Sequence, residues 1–126
     1  MQYCQKRYYV DRRISLRKTY EQMVNCNCDT ANALAVIGGK WKILMLYHIS
    51  KGDKGFNELV RLLVGITPHT LSKDLRELIE DGLVEKTILQ HIPPRTSYQL
   101  TEVGRELEPI LLKIKEFGHR HPIKRH

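Results

Sequence analysis

Between Val64 and His69 the chain reads Gly-Ile-Thr-Pro, and those four residues restrict the possible folds more than any other stretch. Before them, Asn57 is a good N-cap for a short helix whose leucines at 59, 62 and 63 form an apolar stripe. Gly65 stops that helix. Thr67 followed by Pro68 then starts another, because the hydroxyl caps free N–H groups and proline lacks an N–H that the first turn does not need. The second helix, Pro68 to Asp81, sets Leu71, Leu75 and Leu78 on one side, and Gly82 suits a left-handed C-cap. Two short helices joined by three residues form a helix-turn-helix.

The residues after this helix pair narrow the fold further. "LVEKTILQHIPPRTSYQLT", Leu83 to Thr101, reads as a β-hairpin with Val84, Lys86 and Ile88 on one face of the first strand. Thr96, Tyr98 and Leu100 share a face of the second, and His91 to Arg95 form the tip around Pro93-Pro94. Thr101 caps a final helix carrying Val103, Leu107, Ile110, Leu111, Ile114 and Phe117, with Pro109 expected to kink it. The expected fold is mainly α with a small antiparallel β-sheet: a winged helix-turn-helix.

Upstream, "ALAVIGGKWKILMLYHIS" is an apolar run broken by Gly38-Gly39. Two glycines inside a helix cost about 1 kcal/mol each relative to alanine, so the pair reads as a joint between helices. Asp29 or Thr30 can cap the first, and Trp41, anchored in the core, leads the second. Gly-Gly-Lys is no phosphate-binding loop, since Leu34 stands where that motif needs glycine and Trp41 where it needs Ser or Thr. Ser50 to Gly55 is turn chemistry.

With 126 residues the chain is one domain's worth. No apolar run reaches the roughly 18 residues of a membrane span, no secretory signal is visible, and the cytoplasm is the expected location. The net charge of +7 is unevenly placed. Met1 to Asn25 holds six Lys/Arg against two acids, Cys28 to Gly118 twelve of each, and the tail adds Arg120, Lys124 and Arg125. Basic arms around a neutral domain suit a polyanionic partner, though solubilising termini fit the charge equally well. The expected organisation is a basic N-terminal extension at 1–27 able to form a helical arm, a domain at 28–118, and a basic His-rich tail at 119–126.

Three phrases now carry a resemblance: "ALAVIGGKWKILMLYHI", "GFNELVRLLVGIT…TLSKDLRELIEDGLVEK" and "PPRTSYQLTEVGREL". In this order and spacing they resemble the HxlR family of bacterial winged-helix transcription regulators. The resemblance spans about Cys28 to Gly118. It implies homodimers, paired through N- and C-terminal helices, that bind operator DNA. It also places Cys28 at a family cysteine that some members use to sense oxidants or electrophiles; Asp29 stands here where the family often has proline.

The candidate DNA contacts follow from the helix wheel. Opposite the leucines of the second helix lie His69, Lys73 and Arg76, with Thr67 and Thr70 nearby. Lys73 or Arg76 could reach guanine O6/N7 in a major groove, and the others bases or phosphate. Seen alone, that face is an ordinary solvated surface, and Asp74, Glu77, Glu80 and Asp81 make the helix net negative. Arg95 at the hairpin tip suits a phosphate or the minor groove, with His91 beside it, or else braces the hairpin. Lys40 and Lys42, opening a helix, could meet phosphate.

Cys26 and Cys28 leave three readings open: inert thiols, redox or electrophile sensing, or a metal site completed by His119, His121 or His126, for which the spacing is weak. No cofactor is expected, and no nucleophile–base pair suggests an enzyme. The reading is a homodimeric regulator of double-stranded operator DNA, with a small oxidant or electrophile as a candidate signal. Its rivals are a winged-helix protein-interaction module and an RNA-binding winged helix.

Overall fold

Cys28, not Asp29 or Thr30, opens the first helix. The computed structural model describes residues 28–124, so the N-terminal extension with Cys4 and Cys26, and His126 in the tail, lie outside the described residues. The element order is α1 (Asp29–Ile37), α2 (Lys42–Ser50), α3 (Phe56–Leu62), α4 (Pro68–Glu80), β1 (Val84–His91), β2 (Pro94–Leu100), α5 (Glu102–Arg105) and α6 (Glu108–Arg120). The backbone of Cys28 is extended, and its sulfur accepts the Ala31 N–H at 3.4 Å. Asp29 becomes the first helical residue, where a carboxylate meets the positive end of the helix dipole.

The double glycine is a joint, as expected. Gly38 ends α1 in an extended conformation and Gly39 has φ +107°, a region open to glycine without strain. α3 begins one residue before Asn57: Gly55 occupies the N-cap position, and the Glu58 carboxylate accepts the Gly55 N–H at 3.3 Å. Leu59 and Leu63, one turn apart, are buried, whereas Leu62 is turned outward. At α4 the local signals hold. Thr67 Oγ1 accepts the Thr70 N–H at 3.1 Å, Pro68 sits in the first turn, and Gly82 follows with φ +79°.

The wing is a two-stranded antiparallel sheet in register from Val84↔Leu100 to His91↔Pro94, with an irregularity between Ile88 and Gln90. His91 and Arg95 are strand residues, so the tip shrinks from the expected His91–Arg95 to Ile92-Pro93. Only Val84 of β1 is buried, because the hairpin extends past the core and its alternation has no apolar layer to face. Tyr98 and Leu100 reach back into the core. Within the supposed turn, Lys54 bridges to β2: its N–H donates to the Tyr98 carbonyl at 3.0 Å and its carbonyl accepts the Tyr98 N–H at 2.7 Å.

The core forms where α2, α3 and α4 converge on the base of the wing. Met45, Leu46, Leu59, Leu71, Leu75 and Leu78 are sealed from solvent, each contributing about 1.5–3 kcal/mol of burial. The expected kinked C-terminal helix is instead two helices, α5 and α6, with Pro109 in the first turn of α6. A proline fits a first turn because its missing N–H would have had no helical partner there. Leu111 alone of α6 is buried; Ile110, Leu112, Ile114 and Phe117 are exposed.

Candidate nucleic-acid interface

α4 has one face in the core and one in solvent. Leu71, Leu75 and Leu78 hold the first, and Thr67, His69, Lys73 and Arg76 stand on the second. Thr70 is half-buried at the edge, and its hydroxyl oxygen accepts a bond from the Thr67 hydroxyl at 3.0 Å. Both threonines are thus engaged in the helix cap, while His69, Lys73 and Arg76 have their heads free of such bonds. Arg95 is exposed on β2 opposite Gln90, beside the wing tip. Lys40 is exposed at the glycine joint, its ammonium 4.9 Å from the centre of the Trp41 ring. Trp41 is half-buried against the core, as expected.

Lys42 departs from expectation. It is 4% exposed, and its ammonium donates to the Glu77 carboxylate on α4. A lysine sealed inside and held by a carboxylate cannot reach a phosphate, so it leaves the set of DNA contacts. The same pair changes the meaning of the acids on α4. Glu77 is neutralised by Lys42 on the flank of the helix rather than on its outward face.

Asp74 lies on that flank too. Burial pushes its carboxyl above the ordinary 3.8; Lys42 opposes the rise, Glu77 adds to it and Lys73 opposes it. A raised carboxyl means that folding favours the protonated form. Its contribution is complete below the ordinary value and is lost as pH rises through the raised one. Asp74→Asn is therefore expected to melt at or above wild type at pH 7, with the gain shrinking as pH falls towards 3.8. Thermal melts across that range check it; a lower melting temperature for the variant at pH 7 would count against it.

Sequence reasoning gives no role to Arg61. The structure places it with Arg95 along one cleft of about 410 Å³ between α3 and the wing, which Asp53, Asn57 and Glu58 also border. Nothing in the local sequence signals this, because the two arginines come to line one cleft only when the hairpin folds back over α3. Cys28 is half-buried at the start of α1. Among the described residues no cluster of His, Cys, Asp or Glu has the geometry of a metal site.

Comparison with known proteins agrees with this architecture. The model of the HxlR-like helix-turn-helix family matches residues 36–125. Two curated relatives from Bacillus subtilis (strain 168) are the uncharacterized HTH-type transcriptional regulators YdeP and YybR. YdeP is 43% identical over 94 residues, covering 75% of this chain and 73% of its own. YybR is 47% identical over 91 residues, covering 72% and 73%. Among solved structures, the redox regulator HypR in its oxidized form superposes with a TM-score of 0.74 at 44% identity, covering 77% of this chain and all of its own. Its reduced form gives 0.71 at 45% identity, covering 74% and 92%. With a turn-linked helix pair, a wing and a family match over most of its length, the chain is a winged helix belonging to the HxlR-like helix-turn-helix family.

Proposed function

We propose that the protein is a homodimeric, sequence-specific DNA-binding transcriptional regulator acting in the cytoplasm. The observation that carries this reading is α4 itself: leucines lock one side into the core while His69, Lys73 and Arg76 stand free on the other. In a helix-turn-helix the second helix lies in the major groove and the first crosses the backbone. Lys73 and Arg76 then read base edges, Thr67, Thr70 and His69 meet bases or phosphate, and Lys40 meets phosphate. Arg95 and Arg61 flank the strand beyond.

Dimerisation is supported by the apolar side of α6. Ile110, Ile114 and Phe117 are 47–60% exposed along one side of the helix, an unusual array for a helix with no partner. A two-fold pair would present two α4 helices to a pseudo-palindromic operator, half-site centres about 34–36 Å apart or a multiple of that. A thiol response is supported by the place of Cys28, whose sulfur caps the helix packed against α4. Oxidation would change that cap and, through α1, the seat of α4.

Selection of duplexes from a random pool, followed by gel shift of the winner, tests the whole reading. The expected result is a two-fold symmetric site whose affinity falls by about 10³-fold or more between 50 and 200 mM salt, the behaviour of six or more phosphate contacts. Repeating the shift after diamide, with wild type and Cys28→Ser, tests the thiol response: only wild type should change. Preferential competition by RNA favours the RNA-binding rival, and no shift by an intact dimer favours the protein-interaction rival.

A further inference from the structure

Lys42 is the one buried charged side chain among the described residues, and the DNA-reading surface does not use it. Two local considerations disfavour a lysine there. It occupies the first position of α2, where the helix dipole repels a cation, and its stem and head are removed from water. Stability alone does not account for it either, since a buried ion pair often does no better than apolar residues of the same volume.

The pair does have a geometric consequence. α4 is held to the core by Leu71, Leu75 and Leu78; burying them sets which side of the helix faces inward, but the hydrophobic effect is non-directional and fixes no single bonded angle. A bond from α2 to Glu77 on the flank of α4 is directional. A roll of about 20° about the axis of a helix 10–12 Å across moves side-chain tips by about 2 Å. That exceeds the spread of a hydrogen-bond distance, so a base contact would be lost. Lys42 also removes a competitor. Lys73 stands four residues before Glu77, the spacing at which a lysine and a glutamate on one helix pair. Glu77 is instead bound to Lys42, and Lys73 is exposed.

We propose that Lys42 is a positioning residue for DNA reading: by holding Glu77 it keeps α4 at one roll and leaves Lys73 free for the groove. This rests on the reading of α4 as the helix that enters DNA. Two full-length variants test it, with affinity measured for the selected operator and for a scrambled duplex. In Lys42→Met/Glu77→Leu both charges give way to apolar groups, so the core keeps its volume. In Glu77→Gln the hydrogen bond survives while the carboxylate's charge is lost, which leaves the buried Lys42 ammonium without that counter-charge and lowers the melting temperature.

The double variant should remain folded at the assay temperature while its operator-to-scrambled preference drops by about ten-fold or more, the loss of one good base contact. Glu77→Gln should retain most of the preference, because Gln still accepts from Lys42. A merely structural pair would lower the melting temperature and leave the preference of the folded protein untouched. Undiminished preference in both variants overturns the proposal, as does an equal loss in both. Should wild type itself show no preference for any duplex, the DNA-reading assignment of α4 fails first, and the positioning role fails with it.

Discussion

Gly104→Ala should lower the melting temperature by about 15 °C or more, the largest stability effect expected of any single methyl group in this protein. A Cβ at Gly104 would lie 2.1 Å from the Leu83 carbonyl oxygen, 3.1 Å from its carbon and 3.4 Å from the Leu100 Cβ. The obstacle is backbone, and it is held on both sides. The Leu83 N–H donates to the Leu78 carbonyl at 3.0 Å, and its own carbonyl accepts the Thr101 N–H at 3.1 Å. Relief would require moving the end of α4 away from β1 or the end of β2 away from α5. Overpacking of this kind costs about 3 kcal/mol or more, and 1 kcal/mol is worth about 4–8 °C in a domain of this size. Gly118→Ala is the internal control. Within the protomer nothing lies within 4 Å of its added methyl, so helix propensity should leave the protomer's stability unchanged or slightly raised. Melting curves followed by circular dichroism compare the two; a Gly104 variant within a few degrees of wild type would mean that the Leu83 corner yields in solution.

Arg76→Ala should have the largest effect on DNA binding. A bidentate arginine–guanine contact is worth about 1–3 kcal/mol, and on a two-fold dimer one substitution removes two of them. Operator affinity should then fall by about 2–6 kcal/mol, roughly 30-fold to more than 10⁴-fold. The melting temperature should not move, because Arg76 is exposed. Lys73→Ala separates two modes of contact. As a base reader it relaxes preference at one position per half-site; as a phosphate contact it weakens all duplexes alike and lowers the salt slope by about 1 per contact. Titrations of operator and scrambled duplex at several salt concentrations distinguish these outcomes, and unchanged affinity for Arg76→Ala would remove it from the interface.

The proposed interface is partly legible in the sequence because much of it is built from local chemistry. Thr67-Pro68 starts a helix wherever it stands, and three leucines at helical spacing choose which side of α4 turns inward. His69, Lys73 and Arg76 are then outward by elimination. Lys42 misleads for the opposite reason. Lysine is almost never buried unless paired, and its partner Glu77 is 35 residues away, beyond the reach of any local pattern. Pro109 foreshadows the break between α5 and α6, but whether a proline kinks one helix or begins another depends on what the flanking turns pack against. Cys28 stands out in the sequence as a thiol and not as a cap, because cysteine is not among the usual capping residues.

By itself the sequence determined the order of the elements from α1 through the wing, the Gly38-Gly39 joint and the helix-turn-helix, since capping, turn and periodicity act within a few residues. Tertiary structure decided the rest: that Lys42 faces inward, that Arg61 shares a cleft with Arg95, that Lys54 joins the wing, and that Gly104 must lack a side chain. Each of these depends on a surface supplied by a distant part of the chain. A residue's burial, charge partner and free space exist only once that surface has folded against it.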